Sequence, residues 1–92
     1  TLPEGLDALP AAAWNARVLL VEASFLDSRK PLEKVRRGKH LVLDDIVERL
    51  ERFTGEHILL FHFSQIYKQE EIIPLVQSRL PEGWSKRVHC FL

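Results

Sequence analysis

Four apolar residues in a row, Ile58 to Phe61, run straight into a histidine, His62, and the stretch from Glu56 to Tyr67 then breaks into the polar pair Ser64-Gln65. A run without a polar group has no wet side, so it reads as a strand covered on both faces, as in α/β proteins. His62 falls at the carboxyl end of that strand, the edge of an open α/β sheet where ligands and catalytic groups collect. The plainer reading of a single imidazole is a core histidine bonded to a neighbour. The rest of the chain decides between the two.

A second apolar run, Arg17 to Glu22, also ends on an ionisable group and reads as a buried strand. Ahead of it, Pro3, Gly5 and Pro10 interrupt any continuous helix, leaving a helical turn around Leu6 to Leu9 and another from Pro10 to Trp14. Phe25 to Lys39 reads as a long loop with a turn of helix between Leu32 and Arg37. From Asp44 the helical spacing of Leu43, Ile46, Val47, Leu50 and Phe53 predicts an amphipathic helix. Asp45, Glu48, Arg49, Glu51 and Arg52 take its outer side, Asp44 caps it, and Gly55 closes it in the left-handed region. Gln69 to Leu80 predicts a second such helix, with Ile72, Ile73, Val76 and Leu80 inward and a kink or restart at Pro74. Pro81, Glu82 and Gly83 make a turn. Val88, Cys90 and Leu92 alternate with Arg87, His89 and Phe91 as a closing strand. The order β-α-β-α-β requires mostly parallel strands.

If the strands are parallel, Glu22 and His62 meet on one edge, and the loop carrying Gly38-Lys39-His40 can bring a second imidazole over it. Two histidines and a carboxylate suit zinc, manganese or a general acid and base pair. Other candidates read as structural. His89-Cys90 are neighbours on a strand and point to opposite faces, so Cys90 is a small core residue. His57 is solvated. Arg36, Arg37 and Lys39, with Arg29, Lys30 and Lys34 upstream, form a solvated basic loop, and Trp14 and Trp84 are packing anchors.

Composition excludes several classes. Ninety-two residues support one core and not two. Thirteen Lys and Arg against thirteen Asp and Glu leave no overall basic field, so any RNA contact is local. The one cysteine, Cys90, leaves no internal disulfide and no Cys-rich metal framework, which fits a reducing, cytoplasmic compartment. No apolar run approaches the ~20 residues of a membrane helix.

The motifs resemble a known family. Leu19-Leu20-Val21-Glu22-Ala23-Ser24-Phe25 is similar to the "LLIHEATF" strand end of ribonuclease Z and its relatives in the metallo-β-lactamase superfamily. Leu60-Phe61-His62-Phe63-Ser64-Gln65-Ile66-Tyr67 resembles their "LTHFSQRY", and Gly38-Lys39-His40 before Leu43-Asp44-Asp45 resembles the segment between. The likeness runs from Val18 to Leu80. It implies half of an αβ/βα sandwich, a zinc-dependent phosphodiesterase typically acting at the 3′ end of transfer-RNA precursors. It further implies His62 as a metal ligand and Glu22 with His40 as an acid and proton-relay pair. Ser64 and Tyr67 are expected to be structural. Val21 stands where the family usually has the histidine of its HEAT motif, and Ile66 where it often has an arginine, which points to a divergent phosphodiesterase. The family's HxHxDH loop, its next histidine ligand and its bridging aspartate lie upstream, with Thr1 at the threonine of a Gly-Asp-Thr. Residues 1–92 are thus expected to be a single partial domain, the C-terminal half, inert alone. Its partners are expected to be the N-terminal half of the same domain, an RNA substrate and a second copy of itself as a homodimer, with no membrane. The other class of reading is a non-catalytic α/β interaction module that keeps the scaffold and offers its uncovered sheet to a partner.

Overall fold

The computed structural model describes residues 2–92, so the expectation placed on Thr1 lies outside the described residues. Three strands, β1 (Val18–Glu22), β2 (His57–Phe61) and β3 (Val88–Cys90), form one parallel sheet with β2 in the centre. Val18 pairs with His57 through to Glu22 with Phe61, and Ile58 pairs with Val88 through to Leu60 with Cys90. Around it lie α1 (Pro3–Asp7), α2 (Ala11–Trp14), α3 (Leu32–Arg37), α4 (Leu43–Val47), a 3₁₀ turn over Leu50–Arg52, and α5 (Gln69–Arg79). Among the described residues, no helix is long and apolar enough to cross a membrane.

The sheet is covered on one face only. Val21, Ile58, Leu60 and Val88 are buried in a core shared with Val35, Ile46, Ile72 and Val76 from the helices. On the other face Val18, Leu20 and Phe61 remain 44%, 63% and 38% exposed. The expected cover on both faces is therefore corrected: the strands are apolar on both sides, but the helices lie along one.

Several local expectations shift for identifiable reasons. The first helical turn spans Pro3–Asp7 instead of Leu6 to Leu9, because Pro3 fits a first turn, where its missing N–H has no partner to lose. With Val42 at the cap position, helix α4 begins two residues earlier than an Asp44 cap predicts, so the capping carboxylate is Asp45, at the third helical position, and not Asp44. Asp45 is buried, its Oδ2 accepts the Val42 N–H at 2.9 Å and its Oδ1 accepts Arg36 at 2.7 Å, while Asp44 lies outside and pairs with Arg79. The predicted continuous helix to Phe53 breaks at Arg49. Its guanidinium takes the Asp45 carbonyl (2.7 Å) that its own N–H would bond in an α-helix, while that N–H turns to Ile46 O at 3.0 Å. The same guanidinium pairs with Asp7 on α1. Helix α5 runs through Pro74 as one span, with its first turn anchored by Glu71 accepting the Lys68 N–H at 2.8 Å. Ile73, expected inward, is exposed, and β3 stops at Cys90, leaving Phe91 and Leu92 exposed.

Gly55 is not left-handed; among the described glycines only Gly83 has positive φ. Its requirement is space. A Cβ there would overlap the Ala16 carbonyl oxygen and come within 2.7 Å of the Phe53 ring. Backbone cannot swing aside as a side chain can, so Gly55→Ala is expected to cost at least about 1–3 kcal/mol, the usual range for overpacking. The check is the midpoint of urea unfolding; an unchanged midpoint would show that the β2 entrance adapts freely.

Candidate functional site

Parallel pairing places the ends of β1 and β2 side by side, and the ladder between them continues past the strands. Ala23 N–H donates to Phe61 O at 2.9 Å and Ser64 N–H donates to Ser24 O at 2.8 Å. Glu22 and His62 therefore share the carboxyl rim of the sheet. His40 reaches the same rim from the loop ahead of α4. That loop is held by a parallel bridge between Phe25 and Val42 and by Leu43 N–H donating to Phe25 O at 2.7 Å. The His40 ring lies edge-on to Phe25, 5.9 Å between centroids. A side chain at Gly38 would crowd it, with a Cβ 3.1 Å from His40 Cδ2.

The three groups converge closely: one ligand-type atom from each of Glu22, His40 and His62 lies within 4.8 Å of the others. Glu22 Oε1 is 2.8 Å from His40 Nδ1, and Glu22 Oε2 is 3.7 Å from His62 Nδ1. Between them sits Ser24, whose Oγ is 3.0 Å from Glu22 Oε1, 3.2 Å from His40 Nδ1 and 3.4 Å from His62 Nδ1. Burial raises the Glu22 carboxyl, but the hydrogen bonds from His40 and Ser24, together with nearby positive charge, lower it more, so Glu22 ends below its ordinary value and is ionised at neutral pH. The backbone around the site is also unusual. His62 itself (φ 63°) and Lys39, directly before His40 (φ 61°), are the non-glycine residues with left-handed φ among those described. Such conformations cost energy and concentrate at functional sites.

Donor chemistry decides how a metal could fit. Carboxylate and imidazole are both zinc ligands, but two ligands around a tetrahedral zinc with bonds of about 2.0–2.1 Å stand roughly 3.3 Å apart. The 2.8 Å between Glu22 and His40 is a hydrogen-bond separation, with a proton between the atoms. His62 differs: its side chain is 62% exposed, and among the described residues its Nε2 makes no hydrogen bond. The residues present thus fit a metal through the His62 imidazole, with Glu22 and His40 as a hydrogen-bonded acid and base pair beside it.

The remaining candidates fall to structure. Tyr67 is buried, and its hydroxyl accepts the N–H groups of Leu26 (2.9 Å) and Asp27 (3.2 Å) while donating to Asp27 Oδ1 (2.8 Å). Ser64 Oγ accepts the Ile66 N–H within the turn. Burial pushes the Cys90 thiol upward, away from nucleophilic use. Arg29 is engaged by Asp27 and Glu71, and Arg36 by Asp45 and the His40 carbonyl, so the basic loop is partly committed. His57, expected in water alone, pairs with His89 on the open sheet face at 3.0 Å. Ser24 was not singled out from sequence; a hydroxyl two residues past a strand-ending carboxylate is the signal that marks it.

No family model matches the chain. Among curated proteins it is 39% identical over 83 residues to tRNase Z TRZ1 of Arabidopsis thaliana, covering 90% of this chain and 29% of that protein. It is 37% identical over 67 residues to the chloroplastic tRNase Z TRZ2 of Arabidopsis thaliana, covering 73% of this chain and 19% of that protein. The chain is thus similar to tRNase Z proteins while spanning less than a third of the length of these two.

Proposed function

We propose that this chain is the C-terminal portion of a zinc-dependent phosphodiesterase of the metallo-β-lactamase superfamily, ribonuclease Z-like and acting on RNA. The observation that carries the reading is the meeting of Glu22, His40 and His62 on one sheet rim, in a chain similar to two tRNase Z proteins. In this reading the sheet is half of an αβ/βα sandwich, and the open face bearing Val18, Leu20 and Phe61 packs against the other half of the domain. Without that half the chain is inert.

His62 would hold zinc through Nε2, beside ligands from elsewhere in the protein. Zinc, when bound, supplies an acidified water and offsets charge on the phosphate. The chain's own work is proton placement. Glu22 keeps a proton on His40 Nδ1, so Nε2 is the atom that passes a proton to the leaving oxygen, and the carboxylate stabilises the imidazolium from which it comes. With no net charge to steer it, RNA would be drawn only by local groups such as Lys34 and Arg37.

The exposed apolar sheet face supports a second reading, a non-catalytic interaction module. Purified full-length protein, loaded with zinc, is expected to cleave a 3′-extended transfer-RNA precursor or bis(p-nitrophenyl) phosphate. Cleavage of neither, together with no retained zinc, would overturn the hydrolase reading and favour the module.

A further inference from the structure

Ser24 lies at the centre of the rim cluster, 3% exposed, with one proton to give and two lone pairs to offer three neighbours. His40 Nδ1 has its best acceptor in Glu22 Oε1 at 2.8 Å, so the His40 proton goes there. The Ser24 proton then has two destinations, the Glu22 carboxylate at 3.0 Å or His62 Nδ1 at 3.4 Å. A charge-assisted hydrogen bond is roughly twice as strong as a neutral one. The carboxylate is also nearer, so it takes the proton. What faces His62 is therefore a lone pair, which the imidazole can meet only by carrying its own proton on Nδ1.

We infer that Ser24 is a positioning residue that sets His62 in the Nδ1–H tautomer, leaving Nε2 bare and open to a divalent metal ion. The use of that nitrogen rests on the hydrolase reading; the tautomer does not. Among the described residues Ser24 is the one group within hydrogen-bond distance of His62 Nδ1; Glu22 Oε2, at 3.7 Å, lies beyond that distance and acts on the ring only as a nearby charge, so Ser24 supplies the directed acceptor. A metal-ligating histidine commonly donates its second N–H in this way, and losing the acceptor typically weakens metal affinity 10–100-fold.

The test is nitrogen NMR of ¹⁵N-histidine-labelled, metal-free full-length protein, with the pH raised until the ring nitrogen shifts stop changing, so that tautomers and not charge states are compared. Signals are assigned by their loss in His40→Gln and His62→Gln. The expected result is His62 protonated at Nδ1 in the wild type and in Ser24→Thr, and shifted to a mixture of tautomers in Ser24→Ala. His40 should hold its Nδ1 proton in all three. A wild-type His62 protonated at Nε2 would overturn the inference without any variant, and so would a Ser24→Ala spectrum identical to wild type. Zinc titration separates the two readings. Zinc binding about 10–100-fold weaker in Ser24→Ala, restored in Ser24→Thr, supports the inference in full. If His62→Ala leaves zinc affinity unchanged while the His62 tautomer still follows residue 24, the positioning role stands and the hydrolase reading falls.

Discussion

Replacing His62 with alanine is expected to strip zinc from the full-length protein and to lower phosphodiester turnover by more than about 100-fold, beyond the usual effect of disturbing a ligand's hydrogen-bond partner. A catalytic zinc typically has three protein ligands, so losing one leaves the ion too few to hold it against water. The same substitution should do little to the fold. The His62 side chain is largely exposed, and its one hydrogen bond among the described residues, to Ser24, is long at 3.4 Å. Its backbone sits at φ 63°, a conformation that costs a side-chain-bearing residue roughly 1–2 kcal/mol. His62→Gly relieves that strain and partly offsets the relief through glycine's greater unfolded-state freedom. The net expected is between no change and a gain of about 1 kcal/mol. Function and stability therefore part at this residue: zinc content and turnover collapse, while the unfolding midpoint, compared with metal-free wild type, holds or rises. A structural histidine would show the reverse. Zinc content unaltered in His62→Ala after dialysis would sink the ligand assignment.

The rim could be read from the chain because it follows from two short-range facts. Apolar runs ending on Glu22 and His62 make strands, and parallel strands joined through helices must end on one edge. His40 followed less directly, since its place depends on the bridge between Phe25 and Val42. What escaped was set by distant partners. The break at Arg49 belongs to Asp7, 42 residues away, as much as to the helix it ends. Gly55 answers to the Ala16 carbonyl and His57 to His89, contacts that no local pattern encodes. The exchange of roles between Asp44 and Asp45 came from a two-residue shift of the helix start, and helix ends are the boundaries a local pattern fixes least well. Ser24 escaped because a small hydroxyl carries no periodicity; only its three neighbours give it meaning.

Glu22→Gln and His40→Ala are each expected to lower turnover about 10²–10⁴-fold, the usual worth of a positioned acid and base, with bound zinc retained. Glutamine keeps the shape of Glu22 and removes its charge, so the His40 Nδ1–H bond at 2.8 Å loses its charge assistance and the imidazolium its counterion. Because the two residues would act as one device, their losses should not multiply. The double variant is expected to be no slower than the slower single variant, within a few-fold. Acid titration gives an independent handle. The Glu22 carboxyl lies below its ordinary 4.5, so the stability it contributes is complete above that pH and is lost as the pH falls through the lowered value. Glu22→Gln should lack that part of the acid-unfolding limb while losing most turnover at neutral pH. Losses that multiply in the double variant would show two groups working apart. Loss of zinc along with turnover in Glu22→Gln would move the carboxylate from the proton relay into the metal's own ligand set.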